Sequence, residues 1–178
     1  MSSLTTLSTP RLTLRPLRPT DAAGLFAFAG DPEVARYTTW DALGSLEAAE
    51  GYVAYLGQPS DWPTWGVAER ETDRLIGLMG LVGGDRPQAR AEVGYTIARS
   101  HWGRGLASEA LEAVLRHAFT VMGLERVEAM CHPENLGSAR VLEKLGMRFE
   151  GVLRGYVRAK GERQDQRLYA MLASDYQG

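Results

Sequence analysis

The sequence predicts one α/β domain, a mixed central sheet flanked by helices, and three observations carry that prediction. Segments with strand and helix periods follow one another in the order β-α-α-α-β-β-β-α-β-α-β-β, with no linker and no internal repeat. Residues 91–115, AEVGYTIARSHWGRGLASEALEAVL, pass from a strand period through a glycine loop into a helix period. The 178 residues are 44% hydrophobic and 24% charged, a globular composition in a chain long enough to bury about 70% of its unfolded surface. Residues 1–178 therefore read as a single domain.

Each element has a local reason. Residues 11–15, RLTLR, alternate between Pro10 and Pro16 and read as a first strand near a sheet edge, because proline cannot donate to a ladder. Thr20 is placed to cap a helix over residues 21–29, and Asp31-Pro32 supplies a cap followed by proline at the first helical position. Ser45 is placed to cap a third helix with the stripe Leu46, Ala49, Tyr52, Val53 and Leu56. Residues 58–63, QPSDWP, form a loop by composition. Residues 65–69 and 75–82 read as strands joined by RETDR, the second closed by Gly83-Gly84.

In the central stretch Val93, Tyr95 and Ile97 share one strand face, and Glu92, Gly94 and Thr96 the other. Leu106, Ala110, Leu111, Val114, Leu115 and Ala118 then recur at helical spacing. A short strand over residues 126–130, a loop over 132–137 and a helix over 138–145 follow, with Gly146 at its C′ position. Two strands, about residues 147–157 and 167–173, finish the chain around a polar turn at Lys160-Gly161-Glu162.

Between the two periods lie Trp102, Gly103, Arg104, Gly105, Leu106 and Ala107, with Ser108 and Glu109 in the first helical turn. First-turn amides have no intrahelical acceptor, and the aligned peptide dipoles place about half a positive charge there. Gly103 and Gly105 remove side chains where a phosphate would approach. The stretch reads as a pyrophosphate cradle. A dinucleotide is one ligand that suits it, as in a Rossmann unit: Gly103-x-Gly105 opens a helix, and Glu128 ends a later strand near the ribose-binding spacing. Ser108 stands where the third glycine of that motif belongs.

A formal net charge of -2 argues against reliance on a basic surface, so no nucleic-acid partner is expected. Cys131 is the sole cysteine, which rules out an intrachain disulfide and suits a reducing compartment. No apolar run reaches the length of a membrane span and residues 1–10 lack a signal-peptide core, so the expected address is the cytoplasm, with no membrane partner. His101, His117 and His132 lack metal-ligand spacing, and no metal is expected.

Two long motifs, EVGYTIARSHWGRGLASEAL and HPENLGSARVLEKLGMRFEGVLR, resemble the GNAT N-acetyltransferase superfamily, in its RimJ/RimL-like branch. RLTLRPLRPTDAAGLFAF and GDPEVARYTTW fit the same branch, so the resemblance covers nearly the whole chain. It implies a GNAT-like domain whose sheet is splayed between the Glu92 strand and the Arg126 strand, with acetyl-CoA as cosubstrate in the splay and an amine as acceptor. The backbone donors of Trp102, Gly103, Arg104, Gly105, Leu106, Ala107 and Ser108 would grip the pyrophosphate, with Arg104 adding charge. The strand edge from Tyr95 through Ile97 would pair with the peptide-like pantetheine arm, and Asn135 would hydrogen-bond it near the thioester. Trp102 departs from the Gln or Arg usual at its place; only the backbone donors are required, so binding is expected to survive.

Acetyl transfer to an amine needs a base for the ammonium, donors for the developing oxyanion and a proton donor for the departing thiolate. By the resemblance Glu92 occupies the catalytic glutamate's place; by itself it also reads as a glutamate on a solvated strand face. Leu142 stands where many members have a tyrosine, and Ser138 matches the serine of this branch; Ser138 also reads as a helix cap. The backbone N–H near Ile97 is the candidate oxyanion donor. Tyr37, Trp40 and Trp65 are candidates for an acceptor pocket, against the core reading usual for aromatics. A protein N-terminal α-amine is the acceptor favoured by branch resemblance, among polyamine, amino-acid and antibiotic amines, and a homodimer fits the branch. A non-catalytic acetyl-CoA sensor is the other class, because the tyrosine and a carboxylate within GYVRA, residues 155–159, are missing.

Overall fold

The strand and helix periods both persist into the fold. The computed structural model describes residues 4–177. In chain order come strands β1 (Leu7–Ser8) and β2 (Leu12–Arg15), helices α1 (Ala22–Ala29), α2 (Pro32–Ala35) and α3 (Leu46–Leu56), and strands β3 (Thr64–Glu69), β4 (Leu75–Asp85) and β5 (Arg90–Ile97). Helix α4 (Leu106–Thr120), strand β6 (Arg126–Cys131), helix α5 (Leu136–Lys144) and strands β7 (Arg148–Ala159) and β8 (Glu162–Leu172) complete the order.

One sheet runs β1-β2-β3-β4-β5-β6-β8-β7, antiparallel at every junction but one. The exception is β5 with β6, joined through α4 and parallel from Arg90↔Arg126 to Val93↔Ala129. Past Val93, β5 leaves β6, whose own pairing to β8 continues as far as Cys131↔Arg167. The expected splay is therefore present, and residues 94–97 have no strand partner on that side, the Ile97 carbonyl being taken by Trp102 Nε1. A Rossmann assignment fails on this topology, since a dinucleotide fold repeats parallel βαβ units and only one pair here is parallel.

The two faces of the sheet carry separate cores. On one, α4 and α5 cover Leu12, Leu14, Met79, Val93, Val127 and Ala129; on the other, α1 and α3 pack Leu25, Phe28, Ala49 and Val53 onto Leu75. The α4 stripe of Leu106, Ala110, Leu111, Val114, Leu115 and Ala118 is buried throughout. Each buried leucine contributes about 1.5–3 kcal/mol, so packing alone docks the helix and leaves its first-turn donors uncommitted.

Asp31 and Ser45 cap as their sequence context predicts: Asp31 Oδ1 accepts from the Glu33 amide at 2.9 Å, and Ser45 Oγ from the Ala48 amide at 3.1 Å. Thr20 does not cap. A 3₁₀ turn over Pro19–Asp21 precedes α1, and Asp21 instead accepts from the Arg18 amide and pairs with the buried Arg15 at 2.8 Å. Burial pushes the Asp21 carboxyl up, but the Arg15 hydrogen bond, the Arg18 amide and both positive charges outweigh it and hold the group below its ordinary value.

Four boundaries differ from expectation. β1 is an added two-residue strand paired with β2. β4 runs through Gly83-Gly84 to Asp85, because a register shift between Leu81 and Gly83 absorbs them. At Gly84 a Cβ would lie 2.5 Å from the Trp62 ring, which occupies that space. Helix α5 begins at Leu136 rather than Ser138, since Asn135 is its cap. β7 and β8 reach a tight turn at Lys160-Gly161, where both φ values are positive (52° and 82°), as a type I′ turn demands. Among the described residues no helix is long and apolar enough to cross a membrane.

Candidate functional site

Strand β5 divides the site by its alternation. Val93 and Ile97 are buried under α4, and Tyr95 points to the same side; Glu92, Gly94 and Thr96 face the side of α1 and α3. Beyond β5 the chain makes a short turn and enters the glycine loop. Gly103 and Gly105 have φ of 71° and 74°, the left-handed region that only glycine adopts cheaply, and Gly105 serves as the N-cap of α4. The amides of residues 103–108 donate to no acceptor among the described residues. Six successive free N–H groups thus stand at the positive end of a 15-residue helix.

The loop is held from outside by a clamp that nothing local in the sequence marks. Glu109 accepts from the Thr9 hydroxyl at 2.6 Å, the Arg11 amide at 2.8 Å and Arg11 Nε at 2.6 Å, while Arg11 Nη1 donates to the Arg104 carbonyl at 3.0 Å. Burial pushes the Glu109 carboxyl up, yet the hydrogen bonds from Thr9 and Arg11 and the guanidinium charge bring it net below its usual range. A carboxylate in the first turn of α4 is thereby neutralised beside the free amides. Arg104 itself is exposed and makes no ion pair among the described residues. Trp102 is half-exposed, and its indole Nε1 donates to the Ile97 carbonyl at 2.7 Å, closing the end of β5 onto the loop.

Asn135, Ser138 and Tyr95 meet on the α5 side of the splay. Asn135 Oδ1 caps α5 by accepting from the Ser138 amide at 3.0 Å, which leaves the Asn135 NH₂ as its remaining donor. Ser138 is therefore relieved of capping, and its Oγ lies 2.7 Å from Tyr95 Oη. The buried Cys131 thiol neighbours them; burial pushes it up, keeping it a neutral thiol, and Arg167 and Ser138 only partly oppose that. Its neighbour His132 turns to the opposite face and stacks on Tyr37 at 5.3 Å.

Glu92 lies half-buried on that opposite face, beside Glu128 in the parallel register. Burial, and secondarily the Glu128 charge, pushes the Glu92 carboxyl up. Glu128 is engaged by Arg126 at 2.7 Å and Arg90 at 3.9 Å, and Arg126 reaches on to Glu150. Glu92 has no such partner among the described residues. Glu92 and Ser138 thus flank the open strand edge from opposite faces.

Of the aromatics, Tyr37 stands against His132 on the Glu92 side, and Trp40 is partly buried against the α1–α3 core. Trp65 is not a pocket residue: it is fully buried on the α4 side, donates to the Thr5 carbonyl at 2.8 Å and meets His117 edge-on. Across the Tyr37 region the β7–β8 tip folds back, with Lys160 Nζ donating to the Ala35 and Arg36 carbonyls at 2.6 and 3.1 Å. A cleft of about 440 Å³ opens between α1 and the end of β5, lined by Ala27, Phe28, Asp31, Ala98, Arg99 and Ser100. No group of three metal-ligating side chains occurs among the described residues.

Comparison with known proteins agrees with this geometry. The profile of the acetyltransferase (GNAT) domain matches residues 11–148. The uncharacterized N-acetyltransferase p20 of Bacillus licheniformis is 36% identical over 176 residues, covering 97% of this chain and 99% of that one. A GNAT-family acetyltransferase structure from Bacillus anthracis superposes with a TM-score of 0.87 at 26% identity, over 96% of this chain and 99% of its own. Mycobacterium smegmatis RimJ, solved in complex with CoA-disulfide, superposes with a TM-score of 0.84 at 25% identity, over 99% and 90% of the two chains.

Proposed function

The chain belongs to the acetyltransferase (GNAT) domain family and is an N-acetyltransferase, and on that premise we propose that it moves an acetyl group from acetyl-CoA to a protein N-terminal α-amine by direct attack in a ternary complex. The observation that carries the reading is the continuity of the β5 edge left without a strand partner, residues 94–97 up to the Ile97 carbonyl held by Trp102, with six free amides at 103–108. A molecule with a peptide-like arm ending in a diphosphate fits both in one line. Residues 103–108 would hold the diphosphate with Arg104 adding charge, Tyr95 to Ile97 would lie along the arm, and Trp102 fixes the join through Ile97. Asn135 would present its NH₂ to the arm.

When bound, acetyl-CoA supplies an acyl carbon activated as a thioester. The chain supplies the rest. Glu92, on the face away from α4 and pushed toward neutrality by its surroundings, takes the ammonium proton, through water where the amine does not touch it directly. Gly94 makes room on that face for the Val82 side chain, since a Cβ there would lie 3.0 Å from Val82 Cγ1. Tyr37 stacked on His132 walls the acceptor side, with the Lys160 tether holding the strand pair across it. Ser138 donates a hydrogen bond toward the coenzyme sulfur from the other face.

Thiol release from acetyl-CoA tests this across free-N-terminus peptides, N-blocked lysine peptides, polyamines and aminoglycosides. The free-N-terminus peptides are expected to give the largest kcat/KM. A better small amine overturns the acceptor assignment, and no release above background with any amine overturns the transferase reading.

Asn135→Asp separates the two jobs of that side chain. Aspartate caps as well as asparagine, so the melting point is expected to hold. Losing one NH₂ donor should weaken CoA about tenfold by calorimetry. Unaltered affinity would remove Asn135 from the coenzyme site.

A further inference from the structure

A serine hydroxyl has one proton and two lone pairs, so its use as a donor depends on where that proton points. Nothing in Ser138 itself decides this. Its amide is committed to Asn135 Oδ1 at 3.0 Å, which fixes the backbone and leaves the hydroxyl free to rotate. The Oγ has one close hydroxyl partner, the Tyr95 phenol at 2.7 Å, reaching from β5 to α5. The other acceptor near that phenol is the Ser138 carbonyl at 3.4 Å, a longer and weaker contact. A phenol is a stronger acid than an alcohol, so within the pair Tyr95 donates and Ser138 accepts.

We propose that Tyr95 is the positioning residue of Ser138: its phenol occupies one lone pair of Oγ and leaves the serine proton directed into the splay, at the coenzyme sulfur. The inference rests on the reading of Ser138 given above. Burial pushes the Tyr95 phenol up, against a smaller opposing effect of the Ser138 hydrogen bond, so it stays protonated throughout the working range. The neutral Cys131 thiol also hydrogen-bonds Ser138. Keeping its own proton, it serves as a donor to the second Oγ lone pair rather than as the target of the serine proton. Tyr95 and Ser138 both keep their protons. Glu92 takes the ammonium proton, the C–N bond forms as the C–S bond breaks, and the sulfur leaves as a thiolate stabilised by an accepted hydrogen bond. The second nitrogen proton ends on the released thiolate.

The test is the ionisation of CoA bound to the full chain, followed by the ultraviolet absorbance of its thiolate as pH is varied. Tyr95→Phe keeps the ring and removes only Oη. It is expected to lower the thiolate-to-thiol ratio of bound CoA about tenfold at a given pH, equivalent to one pKa unit, with affinity for the thiolate form falling in step and affinity for the thiol form, measured well below that titration, changing far less. Ser138→Ala should do the same, and Tyr95→Phe/Ser138→Ala should do no more than Ser138→Ala alone, because Tyr95 acts through Ser138. A wild-type titration in Tyr95→Phe overturns the proposal. So do losses that multiply in the double variant, or a fall in affinity with the titration unmoved. The readout needs no amine acceptor, so a failure here leaves the transferase reading standing, and an inactive wild type leaves this result readable.

Discussion

Glu92→Gln is expected to lower kcat by about 10²- to 10⁴-fold, the range a positioned base supplies, with acetyl-CoA binding intact. The separation follows from geometry: Glu92 lies on the face of β5 opposite Tyr95, Ser138 and α4, away from the free amides. Its carboxyl is raised first by burial and then by Glu128, so the acid limb of the pH–rate profile should sit above the ordinary carboxylate range and vanish in the glutamine variant. The same shift has a sign for stability. A carboxyl raised in the folded chain binds more protons there than when unfolded, so its contribution is complete below the unfolded value near 4.3 and is lost as pH rises through the folded one. At neutral pH the folded chain therefore carries a disfavoured charge, and Glu92→Gln should raise the melting point while lowering turnover. Unchanged kcat across the pH range contradicts the assignment.

Gly105→Val is expected to weaken CoA by about 100-fold, through backbone geometry rather than bulk. A Cβ at this position would meet only Arg11 Nη2, at an ordinary 3.7 Å, so there is room for a side chain. The φ of 74° is what valine cannot hold without strain, and relief of that strain re-aims the amides that open α4. Hydrogen bonds to a charged group contribute about 1.5–3 kcal/mol each, so misdirecting two suffices for the predicted loss. Gly123→Val is the matched control. Its φ is 66°, a Cβ there would meet nothing within 4 Å, and it lies in the turn beyond the far end of α4. It should lose comparable stability and no CoA affinity. Equal affinity losses in the two variants would trace the effect to general destabilisation.

The sequence made the periodic parts of this molecule legible. The α4 stripe at threes and fours and the β5 alternation each place their buried residues correctly, and with them the opposite faces of Glu92 and Tyr95. Gly103 and Gly105 were readable because left-handed backbone has a residue signature. Pairings between distant residues were not. Arg11 and Glu109 stand 98 positions apart, and neither carries a local mark of the clamp they form on the loop. Asn135 and Ser138 are both good cap residues three apart, so composition alone could not tell which one caps and which one turns to Tyr95. Aromatic identity likewise failed to separate Trp65, buried beneath α4, from Tyr37 beside His132, since both depend on which sheet face the strand or loop delivers.

The most direct measurement is the amide spectrum of residues 103–108 as CoA is added to the isotopically labelled chain. Residues 106–108 are expected to show the largest downfield amide shifts, together with slowed hydrogen exchange, as free donors acquire a diphosphate acceptor. Saturable CoA binding that leaves those amides unshifted and exchanging as before would place the coenzyme elsewhere and contradict the account.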